Sequence, residues 1–303
     1  MGSISKILLV LGPHRSGSSL TSHMLETMDI FHGPKELLMG SSKENEKGYW
    51  EYLPLVKLHE EMLSSLGRSW HNPPRNLSEE DVENLQSLFG IRAKQLVLEM
   101  DIMSEGKTWC FKDPRLGSFL PFWKKNLANR ACYALVTNRH PFAVAASLYK
   151  REQFPAVFSY TLQKRILASI NDHLDFFHST HQINYEDFFT RPEKVFDNVV
   201  SFLQKNELST HFSRDVFLQE VLDPSLMHHG SFQEEELASF EAEEGILELA
   251  SKWINEKKEN KLLKANLRKS NRELRLSLIA RYSENKIESK KELLHEKNCH
   301  PSV

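Results

Sequence analysis

Residues 7–20 read ILLVLGPHRSGSSL, and this stretch decides the fold prediction. The run Ile7 to Leu11 is short and apolar at every position, which is typical of a buried strand in a parallel sheet. Gly12 and Pro13 follow it as a turn signal. Apolar residues then recur at helical spacing, at Leu20, Met24, Leu25 and Met28. The chain therefore opens with a predicted strand, loop and helix.

The loop between this strand and helix has the composition of an anion site. Small residues let the backbone wrap closely around a ligand, and the start of the helix adds its positive dipole end. Ser18 and Ser19 add hydroxyl donors, and Arg15 adds a full positive charge. The spacing is that of a Walker A loop, but Ser18 stands where that motif has its lysine, which argues against a nucleoside-triphosphate hydrolase. The alternative is a Gly/Ser turn that merely enters a helix.

The rest of the chain alternates between strand and helix patterns. Further strands are predicted at 108–111, 131–136 and 182–185. Helices are predicted at 53–66, from a capping box at Ser78 and Asp81 to about 103, after Pro141, at 158–177 and around 195–203. The fold prediction is therefore α/β, with a P-loop-like, mostly parallel sheet that helices cover on both faces, and with a C-terminal helical extension.

Composition narrows the class of protein. Hydrophobic residues make up 40% and charged residues 26% of 303 residues, which predicts a packed core. A net charge of −2 argues against a basic nucleic-acid binder. Three cysteines, distant from one another, argue against a disulfide scaffold and a zinc cluster. No run approaches the length of a membrane helix, so the cytoplasm is the expected location.

The composition shifts near residue 256, which divides the chain into a predicted α/β domain, 1–255, and a charged helical tail, 256–303. Three leucines of the tail share one heptad seam, which would allow self-association through a coiled coil. Ser270 and Arg281 fall on the same seam. The alternative is an exposed, solvated tail.

A second anion motif follows the third predicted strand, where residues 138–151 read NRHPFAVAASLYKR. Arg139 would lie at the carboxyl end of a parallel strand, where open α/β sheets bind ligands. Ser147 would lie on the next helix. Taken alone, Arg139 could be an ordinary salt-bridge partner. Together with the first loop, it suits a ligand that carries phosphates on both sides of a nucleoside.

These motifs together resemble those of the sulfotransferases that use 3′-phosphoadenosine 5′-phosphosulfate (PAPS), and bacterial sulfotransferase-like proteins in particular. The stretch 13–19 resembles that family's 5′-phosphosulfate loop in its Arg-containing version. The stretch 139–147 resembles its 3′-phosphate motif, and Tyr185-Glu186-Asp187-Phe188 resembles its Tyr-Glu-Asp-Leu segment. The resemblance covers about residues 6–235.

The resemblance implies a role for each matching residue. The residues that would hold the 5′-phosphosulfate are Arg15, Ser16, Gly17, Ser18 and Ser19. Arg139 and Ser147 would hold the 3′-phosphate, and Tyr185 would lie near the adenine. The implied reaction transfers a sulfuryl group without a metal, and Arg15 would meet the negative charge that grows on the leaving bisphosphate.

The catalytic candidates lie after the second strand and after the first helix. The resemblance suggests that Lys112 reaches the sulfate or the leaving group, the alternative being a buried Lys–Asp pair that shapes a turn. It also makes Glu51 the first candidate for the base that deprotonates the acceptor. The alternative for Glu51 is a cap on the following helix. Asp113 is the second candidate for the base and His14 the third.

The acceptor is expected to be a hydroxyl on a sugar or glycan, because Trp50 and Trp70 are suited to stack on sugar rings. Two other functions stay open at this stage. One is a P-loop kinase-like phosphotransferase that uses ATP, and the other is a non-catalytic nucleotide-binding scaffold. His228 and His229 resemble a pair found near the cleft of bacterial relatives.

Overall fold

The computed structural model describes residues 6–42, 45, 47–128 and 130–223. The predicted tail, its boundary at residue 256, and the pair His228 and His229 lie outside the described residues.

A four-stranded sheet forms the centre of the described chain. Its strands are β1 (Ile7–Leu11), β2 (Trp109–Lys112), β3 (Cys132–Asn138) and β4 (Ser179–Asn184). They run parallel in the order β2-β1-β3-β4, with Leu9 of β1 opposite Phe111 and Ala134. Every residue of β1 is buried, as its uninterrupted apolar sequence predicts. The α/β fold with a parallel sheet is therefore confirmed.

The α-helices described are α1 (Ser18–Glu26), α2 (Leu53–Ser65), α3 (Glu79–Met103), α4 (Leu120–Asn126), α5 (Pro141–Glu152), α6 (Ala156–Asn171), α7 (Asp187–Thr190), α8 (Pro192–Lys205) and α9 (Arg214–Val216). Short 3₁₀ turns lie at Lys35–Leu37, Leu116–Phe119 and Leu174–Phe176, and a π-helical turn lies at Phe217–Val221. Among the described residues, no helix is both long enough and apolar enough to cross a membrane.

Helices cover both faces of the sheet. On one face, Leu8 and Leu135 pack in a buried cluster with residues of α1 and α8. On the other face, the ring of Phe111 lies 5.6 Å from that of Trp123 in α4. Burying a side chain of this size contributes roughly 1.5–3 kcal/mol, so both layers stabilise the sheet.

Local signals set several helix boundaries as predicted. Ser78 and Asp81 form the reciprocal capping box at the start of α3. Pro141 occupies the first position of α5, where its missing N–H costs nothing. From the carboxyl ends of β1 and β3 the chain passes through loops into α1 and α5. Because the strands are parallel, both predicted anion motifs lie at the same edge of the sheet.

Two predicted boundaries are wrong. The helix predicted over 158–177 ends at Asn171, and a 3₁₀ turn follows before β4. The chain must reverse there to start a parallel strand, and the apolar spacing continues through the turn. The strand β4 begins at Ser179, because its polar residues face solvent at the sheet edge and give no apolar signal.

Candidate active site

The loop between β1 and α1 lies close to the ends of β3 and β4, and two glycines make this possible. A Cβ on Gly12 would lie 2.2 Å from Thr137 Oγ1. Gly17 has φ +93°, and a Cβ there would lie 2.5 Å from Cδ2 of Tyr185. Only glycine therefore fits either position.

Two serines of the loop, Ser16 and Ser18, have different surroundings. Ser16 is buried, and its Oγ lies 2.7 Å from both the Pro13 carbonyl and Thr137 Oγ1, so its hydroxyl holds the loop together. Ser18 is buried at the first position of α1, whose preceding residue provides no side-chain cap. The first-turn N–H groups of a helix lack intrahelical partners and favour an anion.

The structure brings the two anion motifs into direct contact. Arg15 Nε donates a 2.7 Å hydrogen bond to Oγ of Ser147, although the two residues are 132 positions apart. Arg139 Nη1 donates to the carbonyl oxygen of Arg15 at 3.2 Å. The guanidinium groups of both predicted sites therefore share one site.

Arg139 and Tyr185 contact each other within this site. The Arg139 guanidinium carbon lies 4.0 Å from the centre of the Tyr185 ring, a cation–π contact. The Arg139 side is further fixed by Gln163, whose Nε2 donates to the Arg139 carbonyl at 2.7 Å. Arg139 is only 6% exposed, and this burial lowers its pKa.

A third arginine joins the first two. Burial lowers the pKa of Arg15, and the positive charges of Arg151 and Arg139 lower it further. Arg151 belongs to the second anion motif of the sequence, at the end of α5, where it could alternatively interact with the helix dipole. We refer to Arg15, Arg139, Ser147 and Arg151 as the arginine site. Its concentration of positive charge suits an anionic ligand.

Lys112 and Glu51 form a buried ion pair next to the loop. Lys112 Nζ lies 2.7 Å from Glu51 Oε1, and the two side chains are 2% and 7% exposed. The same ammonium donates to the Tyr49 carbonyl at 2.9 Å and to Ser19 Oγ at 3.2 Å. Tyr52 occupies the capping position of α2, so Glu51 does not cap that helix. The partner of Lys112 is Glu51 and not the neighbouring aspartate of the Lys-Asp-Pro sequence.

Asp113 is held in a buried chain of hydrogen bonds. Its Oδ2 accepts from His59 Nδ1 at 2.8 Å, and its Oδ1 accepts from Arg115 Nη1 at 2.9 Å. Trp123 Nε1 donates to His59 Nε2 at 2.9 Å, which places the His59 proton on Nδ1. Burial would raise the pKa of Asp113, but Arg115 and His59 more than offset it and hold the pKa well below its usual range.

Glu51 and Asp113 are connected through Arg115, whose Nη1 also lies 3.9 Å from Glu51 Oε2. We refer to Glu51, His59, Lys112, Asp113 and Arg115 as the β2 network, because three of its members follow or end β2. His59 lies in a helix that the sequence predicts, but no local signal indicates its contact with a residue 54 positions away.

His14 packs against the indole ring of Trp70. Its ring centre is 4.6 Å from that of Trp70, and Arg151 lies 5.4 Å from the same indole. His14 Nε2 is buried and has no hydrogen-bond partner in the described structure. Burial lowers the pKa of His14 well below its usual value, and Arg115, Arg151 and Lys112 lower it further, against an opposing contribution from Asp113.

Trp50, which together with Trp70 is predicted to stack on a sugar ring, contacts two histidines. Its ring stacks on that of His23 at 4.9 Å and lies edge-on to that of His32 at 5.8 Å. A sugar ring could not stack on the same face as His23. Trp70 lies nearer the loop, through its contact with His14.

A cavity of about 660 Å³ opens beside Arg139, at the carboxyl ends of β3 and β4. Most of its lining residues are polar: Asn138, Arg139, His140, Pro141, Tyr160, Gln163, Lys164, Leu167, Ala168, Asn171, Asn184, Glu186 and Asp187. Within the described ranges, no group of three or more His, Cys, Asp or Glu side chains could hold a metal ion.

No protein-family model and no curated protein matches this sequence. Among solved structures, the chain is similar to the sulfotransferase domain from the Synechococcus PCC 7002 olefin synthase, with 19% identity over 80% of this chain and 90% of that chain and a TM-score of 0.45. It is also similar to the sulfotransferase domain from the curacin biosynthetic pathway, with 18% identity over 79% of this chain and 92% of that chain and a TM-score of 0.44.

Proposed function

We propose that this chain is a sulfotransferase that takes its sulfuryl group from PAPS and transfers it to an acceptor hydroxyl, carried by a sugar or glycan. The observation that carries this proposal is the contact of Arg15 with Ser147 and of Arg139 with the Arg15 carbonyl. It joins a loop suited to a 5′-anion with a motif suited to a 3′-phosphate. A nucleoside with anionic groups at both positions suits that combination.

The surroundings of the site fit such a donor. The three arginines lie close enough to lower the pKa of Arg15, a repulsion that bound anionic groups would relieve. Gly17 leaves no space for a side chain between the loop and Tyr185, so an aromatic ring borders the site where the adenine is expected. The donor, when bound, supplies a sulfuryl group on a leaving bisphosphate.

Each residue then has a role toward that donor. Arg15 and the first-turn N–H groups of α1 stabilise the 5′-side anion, with Ser18 and Ser19 beside it. Arg139 and Ser147 bind the 3′-phosphate. Lys112, held by Glu51 next to Ser19, supplies positive charge on the other side of the loop. The hydroxyl of Ser16 shapes the loop, so we do not assign it to the ligand.

A kinase-like function has less support. Ser18 replaces the lysine that contacts the β- and γ-phosphates of ATP in Walker A proteins. Asp113, at the end of β2, is fully occupied by His59 and Arg115 and is not available to hold Mg²⁺.

Titration calorimetry with adenosine 3′,5′-bisphosphate, adenosine 5′-monophosphate and ATP with Mg²⁺ tests the donor. We expect the wild type to bind the bisphosphate more tightly than the monophosphate by at least tenfold. Arg139→Gln should remove most of that preference while it leaves monophosphate binding nearly unchanged. Lys164→Gln, in the neighbouring cavity, is the matched control and should keep the preference. Binding of ATP with Mg²⁺ in place of the bisphosphate would overturn the proposal.

Turnover separates an enzyme from a nucleotide-binding scaffold. With PAPS and an excess of phenolic or sugar acceptors, release of the bisphosphate should depend on Lys112. Lys112→Ala should lower the rate by at least a hundredfold with bisphosphate affinity retained within about tenfold. If the wild type binds the bisphosphate but transfers sulfuryl to neither an added acceptor nor water, the scaffold is the better description.

A further inference from the structure

We infer that the imidazole of His14 accepts the proton of the acceptor hydroxyl during sulfuryl transfer, and that Glu51 acts instead as a positioning residue for Lys112. This inference rests on the proposed function. It names the base that the reaction needs and reverses the order of candidates that the sequence suggests.

The carboxylates of Glu51 and Asp113 are poor candidates for the general base, because their oxygens already contact cations or hydrogen-bond donors. Glu51 accepts from Lys112 through Oε1, and its Oε2 faces Arg115. Asp113 accepts from His59 through one oxygen and from Arg115 through the other. A carboxylate that took a proton here would leave a buried cation without its partner, which costs several kcal/mol.

His14 has an acceptor atom that nothing in the described structure uses. Among the described residues its Nε2 is buried without a hydrogen-bond partner, a state that is unfavourable for a polar atom. A ligand hydroxyl that reached this nitrogen would recover the loss. Because the atom has no contact with solvent in this structure, a neighbouring side chain must move when the acceptor enters.

Burial, together with the charges around it, lowers the pKa of His14 and favours a neutral ring, so its nitrogen can accept a proton. The positive charges of Arg115, Arg151 and Lys112 disfavour a further positive charge, and Asp113 is the acidic group that opposes them. The same cations become favourable once an anionic donor lies among them, because the donor then offsets their charge. Proton acceptance is thereby linked to the presence of the donor.

His14 lies in the same loop as the proposed ligands of the donor. It directly precedes Arg15, whose Nε donates to Ser147 Oγ, where the 3′-phosphate is proposed to bind. The ring of His14 contacts Trp70, over which Arg151 lies. A base in this position is close to the proposed donor site.

The acceptor oxygen forms a bond to sulfur while the bond between sulfur and the 5′-phosphate oxygen breaks, and that electron pair stays on the leaving bisphosphate. The proton of the hydroxyl passes to Nε2 of His14. Water removes it after the products leave.

Two phenolic acceptors of similar size test this step, because one of them does not need a base. At pH 8, 4-methylphenol keeps its proton, having a pKa of about 10 like that of tyrosine, whereas 4-nitrophenol is mostly ionised. We expect His14→Gln to slow sulfuryl transfer from PAPS to 4-methylphenol by about a hundredfold or more, the usual effect of general-base catalysis. Transfer to 4-nitrophenol should fall by less than tenfold.

Controls separate proton transfer from a structural role. His173→Gln replaces a half-buried histidine just after α6, whose Nδ1 lies 2.8 Å from the Ser169 carbonyl, and should behave as the wild type with both phenols. Calorimetry should show that His14→Gln binds adenosine 3′,5′-bisphosphate within about threefold of the wild type. In ¹⁵N-labelled protein, the Nε2 resonance of His14 should show a neutral ring and should move when the bisphosphate binds.

The outcomes distinguish the two proposals. Equal losses with both phenols, no loss with either, or a bisphosphate affinity that falls together with the rate would overturn the role of His14 and leave the sulfotransferase proposal standing. Absence of bisphosphate binding, or of any wild-type transfer to phenolic acceptors, sugar acceptors and water, would overturn both. If His14→Gln does not fold, His14→Asn replaces it in the same measurements.

Discussion

The arginine site and the β2 network differ in the contacts that their cations make. In the β2 network each buried cation has an acidic partner, as Lys112 has Glu51 and Arg115 has Asp113. In the arginine site, Arg15 contacts a hydroxyl and Arg139 contacts a carbonyl and an aromatic ring, whereas Arg151 lies 3.0 Å from the carboxylate of Glu152. The comparison teaches that buried cations in this protein are stabilised either by carboxylates or by neutral groups, and the second kind is the one proposed to bind the donor.

The largest effect should come from breaking the β2 network at Asp113. Asp113→Asn removes the negative charge that faces buried Arg115 and should lower the free energy of unfolding by about 3–5 kcal/mol. Asp175→Asn removes an exposed partner of Lys124 and should change it by less than about 0.5 kcal/mol. Urea denaturation measures both. Equal, small changes would show that the network does not hold the β2 region together.

Acid should destabilise the loop next to Lys112 through His32. Burial, together with the charge of Lys112, lowers the pKa of His32 to about 4, from about 6.5 in an unfolded chain. The folded state therefore binds this proton less readily. Its contribution is fully present above about pH 6.5 and is lost as the pH falls toward 4. The loss is on the order of 3 kcal/mol.

Urea denaturation at a series of pH values between 4 and 7 measures this contribution. His32→Gln should flatten the dependence, whereas His178→Gln, at an exposed position, should leave it as in the wild type. A slope that is the same in His32→Gln and the wild type would contradict the assignment. His23, which stacks on Trp50 and whose pKa is also lowered, first by burial, contributes to the slope that remains, as do His14 and Asp113.

A smaller loss of stability is expected from substitution of Gly17, which tests the contact between the loop and Tyr185. Gly17→Ala and Gly106→Ala both place a side chain on a backbone with positive φ, at +93° and +88°, which costs about 1–2 kcal/mol. Only at Gly17 would the new Cβ also meet Tyr185. Gly17→Ala should therefore lower the free energy of unfolding by about 1 kcal/mol more than Gly106→Ala, and should weaken bisphosphate binding as well.

The smallest change in stability should accompany Ser147→Ala. Loss of the hydrogen bond from Arg15 to a hydroxyl should change the free energy of unfolding by less than about 1 kcal/mol, because the guanidinium group can bind water instead. Affinity for adenosine 3′,5′-bisphosphate should fall by about tenfold, or about 1.4 kcal/mol. If stability falls and affinity does not, the hydroxyl belongs to the fold and not to the ligand site.

The local signals in the sequence predict the elements that depend on neighbouring residues. The apolar run of β1, the capping box of α3 and the proline at the start of α5 are all found as predicted. The predictions failed where a boundary depends on the rest of the molecule. The end of α6 is set by the need to reach the start of β4, and β4 is a polar strand at the sheet edge.

The sequence by itself determined the order along the chain of the four strands and of the longer helices, and the placement of two anion motifs at strand ends, because periodicity and turn residues act over a few positions. The short helix α4 was not predicted. Only the tertiary structure decided which charges meet. Arg15 and Ser147 are 132 positions apart, and Lys112 and Glu51 are 61 apart. Pairings over such separations depend on how the chain folds around the sheet, and no local pattern records them. The same packing leaves Nε2 of His14 without a hydrogen-bond partner among the described residues.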